Sequence, residues 1–151
     1  MKGSTILWWT IPAVLITYGC SGPRHYFPKG DKTWLLYQRT PCFGPCPAFE
    51  LEVSADGSAR FNGKRNTLPI GQHTAIWNAD NLRTLAAVAH NVRFKSKAGR
   101  YDNPLITDLP AKRIVLAGHD LYDRFDGPDI DALYTALDSL ISKTDWIPSE
   151  H

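Results

Sequence analysis

At 151 residues, with 43% hydrophobic and 21% charged residues, the chain has the size and composition of one globular domain with a buriable core. Its formal net charge of +2 is nearly balanced, and Lys and Arg form no stripe beyond the short Arg93–Arg100 segment. The electrostatic footprint of a nucleic-acid binder is missing, so no nucleic-acid partner is expected.

Met1-Lys2 gives a short positive start, Ile6 to Ile16 is an apolar run, and Thr17-Tyr18-Gly19-Cys20-Ser21 follows. This is the layout of a secretory signal peptide. Gly19 directly before Cys20 resembles the bacterial lipobox, in which cleavage precedes the cysteine and the cysteine is lipidated. Thr17 stands where an aliphatic residue is usual. The expectation is a lipoprotein-type signal over residues 1–19, with Cys20 carrying palmitate-type acyl chains and attaching the protein to the membrane of a bacterial cell envelope. Ser21, in place of Asp, resembles the outer-membrane-sorted class, so the domain is expected to face the periplasm there. Two readings compete: an ordinary cleaved signal in which Cys20 is incidental, and a retained helical anchor, for which about a dozen apolar residues is short against a span of roughly 20. Residues 20–32 are rich in Gly, Pro and charge and read as a flexible tether to a single domain over 33–147.

Thr33 to Arg39 reads as a first strand from its aromatic and aliphatic run. Thr40-Pro41-Cys42-Phe43-Gly44-Pro45-Cys46-Pro47 interrupts it. Phe49-Glu50-Leu51-Glu52-Val53 then alternates strictly, which places Phe49, Leu51 and Val53 on one buried face. Asp56-Gly57 marks a tight turn, and Ala59 to Gly63 returns. A further strand is expected from His73 to Trp77. Asn78 is a candidate N-cap for a helix from Ala79 to Asn91, with Leu82, Leu85, Ala86, Val88, Ala89 and Val92 at helical spacing. Phe94 to Pro110 reads as irregular. Lys112 to Ala117 is a strand, Gly118-His119-Asp120 a turn, and Leu121 to Phe125 the return. Pro128 suits the first turn of a closing helix that runs to about Lys143. The expected fold class is α+β, with antiparallel β-hairpins and two helices packed on one face, in the order βββ(β)-α-ββ-α.

Several of these segments resemble a known family. They are Arg39 to Pro47, the Asp56-Gly57 hairpin, Gly71-Gln72-His73-Thr74, Tyr101, Thr107-Asp108-Leu109-Pro110 and the closing Asp126–Leu140 segment. Together they are similar to the DUF6438 family, over roughly Trp34 to Ser142. The resemblance implies an exported α+β domain of bacterial proteins and lipoproteins, and it implies no activity.

Three readings of the Cys loop stay open. The first is a structural disulfide between Cys42 and Cys46, favoured by an oxidising compartment and by prolines that tighten the loop. Because the loop is so short, chain entropy makes such a bond worth about 2 kcal/mol at most. The second is thiol redox chemistry, although the cysteines are one residue further apart than in Cys-x-x-Cys and a strand follows instead of a helix. The third is copper, with Cys42 and Cys46 as soft thiolate ligands and His73, His90 or His119 completing the set. His73 is the histidine taken with the pair; each histidine alone fits an exposed polar residue as well. Asp102 and Asp108 near Tyr101, and Asp120, Asp123 and Asp126, are candidate carboxylate clusters whose plainer reading is solvated turns. No Gly-x-Ser-x-Gly elbow or phosphate-cradling glycine motif is present. No residue is assigned a catalytic role, and no resident metal or cofactor is expected. The expected function is a non-catalytic binding or interaction module for an envelope protein or small ligand, with the Cys loop pinned by a disulfide. The alternative is a periplasmic thiol-redox or copper-handling protein acting through Cys42 and Cys46.

Overall fold

A computed structural model describes residues 32–106 and 108–149. The expected signal peptide, Cys20, the tether as far as Asp31, and Thr107 lie outside the described residues. The strands are β1 (Thr33–Arg39), β2 (Ala48–Ser54), β3 (Ser58–Arg65), β4 (Gly71–Ile76), β5 (Gly99–Tyr101), β6 (Lys112–Leu116), β7 (His119–Asp123) and β8 (Ile147–Pro148). The helices are α1 (Ala79–Asn91), a single turn α2 (Phe94–Lys97) and α3 (Asp131–Lys143). The strands form one 8-stranded sheet in the order β5-β7-β6-β1-β2-β3-β4-β8. Only β5 and β7 pair in parallel; every other neighbouring pair is antiparallel.

Period-two alternation makes one face of this sheet apolar. Register aligns Leu121, Ile114, Tyr37, Leu51 and Phe61 in one row across β7, β6, β1, β2 and β3, and Leu116, Leu35, Val53, Ala59 and Ala75 in the next, across β6 to β4. All are buried. Leu82, Leu85 and Ala89 of α1 and Leu133, Tyr134, Leu137 and Ile141 of α3 complete the same cluster, so both long helices cover this face. The opposite face carries Gln38, Glu50, Glu52, Arg60, Asn62, Arg113 and Asp120, joined by Gln38–Glu50, Arg60–Glu52 and Arg113–Asp120 pairs.

The fold is therefore mixed α+β with strands dominating, and the expected all-hairpin order holds only in part. The segment expected to be irregular contains α2 and β5, and β5 makes the sheet mixed. β8 adds an edge strand to β4. The return strand of the second hairpin begins two residues earlier than expected, at His119. The central residues of the turn are Ala117 and Gly118, with φ of 50° and 83°, and Leu116 pairs His119, the backbone of a two-residue type I′ turn. Pro128 does not open α3. Ile130 is fully buried and non-helical (φ −131°, ψ 27°), and its carbonyl accepts from Leu133 and Tyr134, so the helix begins at Asp131. Asn78 is the N-cap of α1 as expected, with its side chain accepting from Asn81 N at 2.9 Å.

The β2–β3 turn locks the start of α1 to the sheet. Gly57 has φ 92°, its N–H donates to Ser54 O, and its carbonyl accepts from Trp77 N at 2.8 Å. Buried Trp77 in turn donates its indole N–H to Thr144 Oγ1 at 2.9 Å, just after α3. A Cβ at position 57 would run into the Trp77 carbonyl and force an unfavourable backbone conformation. Gly57→Ala is expected to lose about 2–3 kcal/mol, read as a lower urea midpoint with an unchanged m-value. An unchanged midpoint would show that the hairpin does not brace Trp77.

Candidate functional site

The strand directions gather four connections at one end of the sheet. β1 runs up to this end and β2 runs down from it, β3 up and β4 down, β6 down and β7 up. The loops 40–47, 66–70, 102–111 and 124–130 therefore share one pole, and Lys32 enters the domain at the other. Local bonds fix them to one another. Asn66 Nδ2 donates to Cys46 O at 3.3 Å. Thr40 N donates to Ala111 O at 2.9 Å, and Thr40 Oγ1 accepts from Ala111 N at 2.7 Å. Arg124 N donates to Tyr101 O at 2.9 Å. The 66–70 loop folds back so closely that the Pro69 carbonyl fills the space of a side chain at Gly63.

Cys42 and Cys46 form a disulfide with Cα atoms 5.6 Å apart. Gly44 N donates to Cys42 Sγ at 3.2 Å, closing the loop on itself. Its tip is Phe43, 92% exposed. Leu68 (86%) and Leu105 (90%) stand out of the neighbouring loops, and Ile70, Leu109 and Phe125 are also exposed at this pole. An aromatic in a proline-rich loop, and Leu68-Pro69-Ile70 between polar turns, were the signals in the sequence. They did not say that the loops meet.

The three residues of the alternative copper reading are not brought together as a metal-holding group. His73 lies on β4 opposite Phe61, and its Nδ1 is 3.3 Å from Gly71 O. Among the described residues no group of three or more His, Cys, Asp or Glu is placed to hold a metal ion, so Cys42, Cys46 and His73 do not form one. The carboxylate candidates also separate. Asp120 is on the polar face and takes two bonds from Arg113, which hold its carboxyl below the ordinary range. Asp102 pairs with Arg100 and Arg124. Asp123 is on the apolar face near Tyr134, where burial raises its carboxyl above the ordinary value despite Lys112 and the Gly127 N–H; Asp131 adds to the rise. Burial, then the Asp123 charge, likewise raises the Tyr134 phenol.

A second concave feature lies at the Lys32 end. A groove of about 560 Å³ opens between the C-terminal part of α1, α2 and the strands β1, β6 and β7. Trp34, Ala86, Ala89, Phe94 and Leu116 give it apolar walls. His90, Arg93, Lys95 and His119 bring every ionisable group to its lining, and no carboxylate is among them. Arg93 ends α1 in the left-handed conformation (φ 56°, ψ 41°) that usually falls to glycine. Keeping a side chain there costs about 1 kcal/mol. Its carbonyl accepts from both Ser96 N and Ser96 Oγ, which fixes the bend.

The sequence pattern of a family described as a domain of unknown function (DUF6438) matches residues 33–141, and the chain belongs to that family. No curated protein matches the chain.

Two measurements probe this geometry. Replacing both cysteines (Cys42→Ala with Cys46→Ala) is expected to cost no more than about 2 kcal/mol, because the loop closed is short, and to leave the fold intact. Loss of the folded state in that variant would show that the bond staples the domain and not the loop alone. Asp123 binds its proton more tightly in the folded than in the unfolded chain. Its contribution to stability is therefore greatest at low pH and is lost as pH rises from its ordinary value of 3.8 through its raised one. Asp123→Asn is expected to flatten that slope in urea titrations across the acid range, and an unchanged slope would refute the assignment.

Proposed function

We propose that this DUF6438 member is an envelope lipoprotein whose domain is a non-catalytic interaction module. In this reading lipidated Cys20 holds the chain at the outer membrane, facing the periplasm, and the loop pole meets a protein partner. The observation that carries the reading is the set of apolar side chains at that pole, led by Phe43 on its disulfide-closed loop. Soluble domains rarely gather exposed large apolar residues at one place without a partner to cover them, and aromatic anchors dominate binding energy when they fill a pocket. The position of Lys32 supports it further, since a tether joined at the opposite end leaves the pole pointing away from its attachment.

Photocrosslinking in the host envelope tests this. Benzoylphenylalanine placed at position 43, 68 or 105 is expected to give a protein adduct of one defined mass, and the same probe at Thr74, on the polar face of β4, is expected to give none. Adding Cys42→Ala and Cys46→Ala is expected to weaken the position-43 adduct several-fold. Equal labelling from Thr74, or none from the pole, would end the reading. The anchor has a separate check, the intact mass of the protein extracted from membranes. A diacylglyceryl-modified Cys20 at the mature N-terminus is expected, and any other N-terminus removes the anchor.

One observation favours the second reading, thiol-redox or copper chemistry. The cysteine pair is only half-buried, and the Gly44 N–H donated to Cys42 Sγ is a contact that would favour a thiolate after reduction. A redox titration with Cu(I) competition decides it: a potential near that of cellular thiol buffers, or tight Cu(I) binding by the reduced protein, is what this reading requires.

A further inference from the structure

We infer that the groove at the Lys32 end is a binding site for a single-chain fatty acid, with the acyl chain on the apolar walls and the carboxylate at the cationic rim. Three features point to this class of ligand. The walls formed by Trp34, Ala89, Phe94 and Leu116 are apolar, and a groove of about 560 Å³ lies within the range of small-ligand sites. An alkyl chain gains roughly fourfold in affinity per buried methylene in such surroundings. The charge at the rim is of one sign. Arg93 and Lys95 line the groove, and neither has an ion-pair partner among the described residues. A carboxylate fits the planar donor fork of an arginine in two-point contact. His90 and His119 also line the groove.

The third feature is the backbone at Arg93. Its left-handed φ of 56° is a position glycine would occupy without strain. An unfavourable backbone held with a side chain that lines a groove is the pattern of a residue kept for its side chain. A purely structural role predicts the reverse, since a glycine would suit the bend at least as well. This separates folding from binding. Arg93→Gly relieves the backbone and removes the guanidinium, so it is expected to melt at the same temperature or higher while losing the ligand.

The test uses the full chain in lipid nanodiscs and a diazirine-bearing dodecanoic acid, with the labelled peptides mapped by mass spectrometry. Labels are expected on peptides spanning Ala86–Ser96 and Leu116–His119. They are expected to fall at least tenfold in Arg93→Gly and in the matching diazirine alcohol, which keeps the chain and lacks the charge. Hydrogen exchange of α1 in Arg93→Gly is expected to stay as slow as in the parent, which shows that the loss is not unfolding. Labels confined to peptides outside the groove would overturn the proposal. So would equal labelling of the groove by acid and alcohol, or labelling that persists in Arg93→Gly.

Discussion

Strand β1 is hydrogen-bonded on both sides, to β2 and to β6, and this double pairing joins the two parts of the sheet. On one side β1 to β4 form a meander of neighbours in sequence; on the other, the β6–β7 hairpin arrives after α1, α2 and β5 have intervened. Tyr37 sits at the middle of the strand, fully buried between the two. Its ring meets the edge of Phe49 at 5.2 Å and stacks on Tyr134 of α3 at 6.1 Å. The aromatic chain continues from Phe49 to Phe61 and on to Trp146. The Tyr37 hydroxyl donates to Asp138, which also pairs with Arg39, so the same strand fixes the polar margin of α3. Burial, with the Asp138 charge second, keeps that phenol protonated far above its ordinary value. A buried hydroxyl with a partner costs little, and without one it would cost about 1–3 kcal/mol. One tyrosine therefore links the sheet, the closing helix and the strand that leads directly into the Cys loop.

What was legible in the sequence follows from how local each cause is. β1 and α1 have the bounds expected, because an aromatic run and a capped apolar stripe act within their own segment. The alternation from Phe49 to Val53 reports its buried face without help from elsewhere. β5 had no such signal. Three residues, Gly-Arg-Tyr, are a strand only because β7 lies alongside. β8 is shorter still and contains a proline, which an edge position tolerates. α2 is one turn set by the bend at Arg93 and by burial of Phe94. For the candidate site the cysteine pairing was readable from spacing and turn residues. The pole was not, because the meeting of 40–47 with 66–70 and 102–111 depends on strand directions across the whole sheet. The groove was hidden for the same reason, since Trp34, His90 and His119 belong to segments far apart in the chain.

The two ends of the domain differ in kind. At the loop pole the exposed apolar groups stand on turns that share one end of the sheet, and in the proposed reading a flat or pocketed protein surface is their complement. At the Lys32 end the apolar groups form the walls of a concavity, with cations at its lining. The first arrangement suits a macromolecule, the second a small amphiphile. Between them the helix-covered face is filled by its own core, and the other face carries its own ion pairs.

This division bears on why a disulfide should close so short a loop. The bond contributes about 2 kcal/mol at most against a typical domain stability of roughly 5–15 kcal/mol. Its larger effect is local. Phe43 is nearly fully exposed and makes no core contact, so packing cannot order it. An unrestrained aromatic on a proline–glycine loop would have to be ordered on binding, at about 0.5–1.5 kcal/mol for the side chain alone, with loop entropy added. The Cys42–Cys46 bond, the Gly44 N–H on Cys42 Sγ and the Asn66 contact to Cys46 O restrict the loop beforehand. In the proposed reading, a cross-link placed where it adds little to the fold and much to the order of one exposed ring serves recognition more than stability.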